Sequence, residues 1–144
     1  MAEQTMGSVE IDATPQEIMA VITDFEAYPE WADGVKETEV LKADGRGRGQ
    51  EVRFAVSSLG LSDDILFRYT YAAASTGCSW TLVEARNVKA LEGSYELAGT
   101  GPTEVTYHLT LEPSIPLPGI VKRQIEKRML KAALHGLKRR VEGG

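Results

Sequence analysis

Residues 117–141 read LPGIVKRQIEKRMLKAALHGLKRRV, and the fold turns on how they are read. Leu117 to Val141 is the one segment long and regular enough for a long helix. At 1.5 Å per residue it spans about 37 Å, the width of a small domain. Val121, Ile125, Met129, Ala133, Leu137 and Val141 recur at intervals of four. Such a row is inclined to the helix axis, so the apolar stripe crosses the helix diagonally. That predicts a helix laid over a curved, twisted sheet, or one with a bend near Met129 to Ala133. Beside it Arg123, Lys127, Lys131, His135 and Arg139 form a basic row. One row requires cover and the other requires water. The rest of the chain must therefore supply a concave apolar surface for this helix to close.

Composition sets the frame. A chain of 144 residues predicts one domain, spanning residues 1–144, with enough buried surface for a real core. Hydrophobic residues make up 42% and charged residues 26%, as in an ordinary soluble protein. The single cysteine, Cys78, excludes an intrachain disulfide. Met1 to Ser8 lacks the apolar run of a signal peptide, and no stretch approaches a membrane span. The expectation is a cytoplasmic protein that is not integral to a membrane. The net charge of −5 hides a split. Residues 1–116 hold 8 Lys and Arg against 19 Asp and Glu, a net of −11, while residues 117–144 hold 8 against 2, a net of +6. A basic bar on an acidic body reads as internal complementarity with a solvated face. Its functional reading is an anionic partner at the helix, such as RNA, a lipid headgroup or an acidic protein patch, with no DNA partner expected.

Before the helix the chain is mostly alternating. Gly7, Val9 and Ile11 share one face of a first strand over Met6 to Ile11. Thr14, Pro15 and Glu17 then spell a helix start, with Thr14 as cap, Pro15 in the first turn and Glu17 completing a capping box. Ile18, Met19, Val21 and Ile22 form the buried face of a short helix. Phe25, Tyr28 and Trp31, interrupted by Pro29, predict a second short helix or turn anchored under a sheet. Six strands follow, at Val35–Lys42, Gln50–Ser57, Asp64–Ala72, Ser79–Arg86, Ala90–Ala98 and Glu104–Glu112. Turns lie at Ala43–Gly49 and a loop at Ser58–Asp63. The spacing predicts an antiparallel meander with one apolar face. Two loops carry apolar residues, Leu59 and Leu61 in one, Ile115 and Leu117 in the other. They read as segments tucked under the domain, or as a lid or membrane-touching tip at a cavity mouth.

The order of strand, two short helices, six strands and long helix resembles the START-like (SRPBCC) superfamily. This is the helix-grip fold shared by birch-pollen-allergen-like proteins, lipid-transfer domains and polyketide cyclase/dehydrases. Asp24-Phe25-Glu26-Ala27-Tyr28-Pro29-Glu30-Trp31, Gly93-Ser94-Tyr95-Glu96-Leu97 and Leu134 to Glu142 are similar to the branch that joins polyketide cyclase/dehydrases, coenzyme-Q-binding proteins and ribosome-association toxins. The resemblance implies an α+β fold in which a seven-stranded antiparallel sheet wraps round the C-terminal helix. It also implies an apolar cavity between them. The aligned strand faces would line it with Phe54, Phe67, Tyr69, Tyr71, Trp80, Leu82, Tyr95, Tyr107 and Leu109, and the helix with Met129 and Ala133. Such walls suit a hydrophobic small molecule: a polyketide, a lipid or a quinone. The same side chains also serve as core.

Catalytic motifs are scarce. His108 falls on the polar face of its strand and His135 on the basic side of the helix, neither in a metal-like spacing. Cys78 beside a glycine reads as structural. The G-R-G-R-G run of residues 45–49 precedes a strand and so lacks the helix N-terminus that binds phosphate. Asp63-Asp64 reads as a charged loop end. No metal or cofactor is expected. Glu84 is the one candidate for inward acidity, sharing strand alternation with Trp80 and Leu82. A carboxyl held there would act as acid or base, whereas exposure at the strand end, or pairing with Arg86 or Arg68, would leave it inert. The tyrosine hydroxyls at 69, 71, 95 and 107 are candidates to orient a carbonyl or quinone oxygen. Three functions follow: a binder of a hydrophobic small molecule, a polyketide cyclase/dehydratase, or a ribosome-associating module that uses the basic helix.

Overall fold

The computed structural model describes residues 4–58 and 60–143. Strand β1 (Gln4–Ile11) leads through α1 (Pro15–Ile22), a 3-10 turn at Phe25–Ala27 and α2 (Tyr28–Trp31) into the meander. The meander is β2 (Val35–Ala43), β3 (Gly49–Ser58), β4 (Leu61–Tyr71), β5 (Gly77–Glu84), β6 (Val88–Gly99) and β7 (Thr103–Pro113). The C-terminal helix comes as α3 (Gly119–Lys131), a π turn at Ala132–Gly136 and α4 (Leu137–Glu142). The seven strands pair antiparallel in the order β1-β7-β6-β5-β4-β3-β2, and the helix lies across the concave face: a helix-grip fold.

The local chemistry of each element is visible. Thr14 caps α1 through its Oγ1, which accepts the Glu17 N–H at 3.2 Å, while Glu17 Oε1 accepts the Thr14 N–H at 3.0 Å. The exchange satisfies orphan donors at both positions. Period-two burial along β7, with Thr103, Val105, Tyr107, Leu109 and Leu111 buried, shows the one-sided sheet that the sequence alternation predicts. Of the segment expected as a loop at Ser58–Asp63, Ser58 and Leu61 to Asp63 are instead strand, with Ser58 paired to Leu61 and Ser57 to Ser62, while Gly60 lies in a turn. Leu59 and the Leu61 side chain, named above as a possible lid, lie outside the described residues.

The helix grips at both ends of its C-terminal half. A π turn begins at Ala132, within the stretch from Met129 to Ala133 that the sequence offers for a bend. Gly136 sits against α2 so closely that a Cβ there would lie 2.7 Å from the Trp31 carbonyl oxygen. Arg140 pairs with Glu30 at 3.0 Å, and Glu142 accepts the Asp12 N–H at 2.8 Å. Ala133, Leu134 and Leu137 are buried, while Val121, Ile125, Met129 and Val141 are half-buried. The basic row of Arg123, Lys127, Lys131, His135 and Arg139 is exposed throughout.

Candidate functional site

The loosely packed half of the helix overlies open space. Between it and the sheet is a cavity of about 400 Å³. Its floor is built by register. Tyr69, Trp80, Gly93 and Leu109 stand directly across from one another on β4, β5, β6 and β7. One step on, Tyr71, Cys78, Tyr95 and Tyr107 form a parallel row. Residues opposed across a sheet share a face, and from these rows Tyr69, Trp80, Tyr95 and Tyr107 line the cavity as an aromatic wall. Trp80 lies close over Gly93, where a Cβ would come within 2.7 Å of the indole Cζ2, and only a glycine leaves that room.

Of the residues expected at the cavity, Phe54, Phe67, Tyr69, Trp80, Tyr95 and Tyr107 from the sheet, with Met129 and Ala133 from the helix, stand together on its lining. Tyr71, Leu82 and Leu109 do not. Tyr71 is turned to the β2–β3 turn, where its hydroxyl donates to the Gly49 carbonyl at 2.6 Å and the Arg48 guanidinium covers its ring at 4.4 Å. Leu109 is fully buried core. Leu82 packs half-buried against the core, outside the lining. Glu84 is exposed on the outer face. The reason is a β-bulge: Phe67 pairs with Leu82 but Leu66 pairs with Glu84, so one extra residue on β5 breaks the alternation that would have turned Glu84 inward.

Sequence reasoning missed residues at the mouth. Lys36 and Arg128 line it, and neither forms an ion pair among the described residues. Lys36 reaches it through a second register shift, between Val35 and Glu37. Leu117, from the apolar loop before the helix, also lines the cavity, whereas Ile115 is exposed. Asp63 belongs to the lining, but its carboxylate is spent on the scaffold. It accepts the N–H groups of Asp64, Arg86 and Asn87 at 2.7, 3.1 and 2.9 Å and so fixes the β5–β6 turn.

The electrostatics favour neutral groups inside. Burial is the first cause that pushes the phenols of Tyr28, Tyr69, Tyr95 and Tyr107 well up from the usual range, so all are protonated at neutral pH. Burial likewise pushes the Cys78 thiol up to about 12, opposed by a hydrogen bond from the Tyr95 N–H. A thiol so disposed is an inert packing group rather than a nucleophile. His108 stands on the outer face, 3.5 Å from Glu96, and His135 is exposed on the helix. Among the described residues no three His, Cys, Asp or Glu cluster as metal ligands would, and no helix is long and apolar enough to cross a membrane.

Residues 4–142 match the family described as polyketide cyclase / dehydrase and lipid transport. Among solved structures, the chain is similar to a START superfamily protein from Mycobacterium smegmatis, with 25% identity, a TM-score of 0.87 and 97% of each chain covered. It is similar in fold to a protein of Thermus thermophilus, with 21% identity, a TM-score of 0.81 and 98% of each chain covered. The Zhui aromatase/cyclase of Streptomyces sp. R1128 shares the fold at 16% identity and a TM-score of 0.83, over 99% of this chain and 94% of that one. Among curated proteins none matches the chain.

Proposed function

Since the chain belongs to the polyketide cyclase/dehydrase and lipid-transport family, we propose that it binds a hydrophobic small molecule, a polyketide, lipid or quinone, between its sheet and its C-terminal helix. The observation that carries this reading is the cavity itself. Its volume of about 400 Å³ is in the range of small-molecule sites, and its lining is mostly aliphatic and aromatic. A chain that used these faces only as core would close such a space, because unfilled volume forfeits dispersion contacts. Native mass spectrometry of freshly purified protein, followed by organic extraction, tests the reading. The expected result is a bound species of roughly 200–600 Da, the size such a pocket holds. An unliganded mass, together with no binding of added fatty acids or naphthoquinones up to about 1 mM, overturns it.

A second reading is cyclisation or dehydration of a polyketide chain in the same cavity. The phenolic hydroxyls on the wall favour it, since they are placed to orient carbonyl oxygens while the walls fold the chain. Glu84, exposed on the outer face, is no part of that chemistry. Product formed from a poly-β-keto substrate, and lost on substitution of the wall tyrosines but not on Glu84→Gln, separates catalysis from carriage.

A further inference from the structure

The chain has five tyrosines, and their hydroxyls divide into two groups. Three are spent on main-chain carbonyls: Tyr28 donates to Ile22 at 2.6 Å, Tyr71 to Gly49 at 2.6 Å and Tyr95 to Ala133 at 2.9 Å. Each of these bonds ties one scaffold element to another or closes a turn. Tyr69 and Tyr107 are different. Both rings are more than nine-tenths buried, at 7% and 6% exposure, and both line the cavity. Yet neither hydroxyl makes a hydrogen bond among the described residues. Nor is either among the buried side-chain atoms left without a partner, as Trp31 Nε1 is. Each therefore opens on space, and the space beside both is the cavity.

A phenol at such a position is costly if it serves only packing, because phenylalanine fills the same volume without a polar group to leave unmatched. The two hydroxyls also flank a platform. Trp80 lies between them, with its ring centroid 5.5 Å from that of Tyr69 and 5.5 Å from that of Tyr107. The indole is inclined by only 34° and 36° to the two phenol planes. Gly93 beneath it leaves no freedom to tilt further into the sheet.

We infer that the inner end of this cavity recognises a carbonyl or hydroxyl oxygen on a flat ring that packs against Trp80, with Tyr69 and Tyr107 making the hydrogen bonds. This rests on the cavity being the ligand site. It narrows the occupant to oxygenated aromatic or quinonoid molecules over saturated chains. A phenol is protonated at neutral pH and burial raises both of these further, so both are present as donors to a ligand carbonyl.

The test compares menadione with β-methylnaphthalene, which matches its ring system and lacks its oxygens, by isothermal titration calorimetry. The wild-type protein is expected to bind menadione about tenfold more tightly, as one well-made hydrogen bond allows. The double variant Tyr69→Phe, Tyr107→Phe should bind β-methylnaphthalene as the wild type does and lose the preference. It should melt no lower than the wild type, since no protein partner is lost. If the double variant fails to fold, the single variants serve, each expected to lose about threefold of the preference. Equal wild-type affinity for the two compounds, or a preference that survives both substitutions, overturns this inference and leaves the ligand site standing. Binding of neither compound by the wild type overturns the inference, and the ligand site falls with it only where added fatty acids also fail to bind.

Discussion

Tyr95 shows how a single side chain serves the scaffold and the cavity at once. Its ring lines the cavity, and its hydroxyl reaches the Ala133 carbonyl in the π turn. That carbonyl is available because the Leu137 N–H donates to Leu134, where a regular α turn would direct it to Ala133. Tyr95→Phe should therefore lower the unfolding free energy by about 1–2 kcal/mol in urea, the loss of one bond plus a buried carbonyl left short of a partner. The same change at Tyr69 should be neutral, and equal losses at both positions would contradict this division of labour. Cys78 supplies a second prediction at this scale. Its thiol is pushed from an ordinary value of 9.0 up to about 12 by burial. Between those values the unfolded chain has lost the proton that the native state keeps, so the contribution is fully present below pH 9 and is lost as pH rises. The limiting slope is about 1.4 kcal/mol per pH unit. Urea midpoints measured at pH 8, 9 and 10 should fall over the last step, and Cys78→Ala should flatten that fall. A wild-type curve level from pH 8 to 10 would show that the thiol is not held neutral.

At the scale of elements, α2 and the C-terminal helix meet closely at Gly136. Alanine there would bring Cβ within 2.7 Å of the Trp31 carbonyl oxygen, and with backbone on both sides neither partner yields cheaply. Gly136→Ala should cost about 1–3 kcal/mol and lower the melting temperature by roughly 2–12 °C. Gly45→Ala, where the added carbon meets nothing within 4 Å, is the matched control. Indistinguishable melting of the two variants would mean that α2 and the helix are not locked together. This contact was not readable in the sequence, although the helix and its diagonal apolar row were. Periodicity reveals which face of an element is apolar, and so the strands, the capping box at Thr14 and most of the aromatic wall could be read in advance. It does not reveal how two elements fit. Glu84 turns outward and Lys36 reaches the cavity mouth because of register shifts, and a bulge is a mismatch between two strands that neither strand's own alternation records. Tyr71 lay on the expected face, but the Gly49 carbonyl and the Arg48 guanidinium claim it at the end of its strand.

Across the whole molecule, stability and function draw on the same helix in opposite ways. Its C-terminal half is fastened, with Leu134, Gly136 and Leu137 buried and with Arg140 and Glu142 tied to α2 and to the end of β1. Its N-terminal half is held more loosely, with Ile125 and Met129 only half-buried over the cavity. A fold selected for stability alone would fill that space; one that keeps it open gives up packing for a binding volume. Ala133 marks the boundary, for it is buried and also lines the cavity. Ala133→Leu pushes added methylene groups toward the open volume. If the volume is real, the variant gains apolar contacts and melts higher, by roughly 2–4 °C for about 1 kcal/mol, while its affinity for menadione falls. If the side chains on the two walls already meet, the same substitution overpacks the core and costs about 1–3 kcal/mol. Differential scanning calorimetry beside a menadione titration reads both arms. Higher melting with weaker binding identifies the space as one kept open for a ligand. Lower melting with weaker or unchanged binding would show a closed core, and the aromatic wall would then be packing alone.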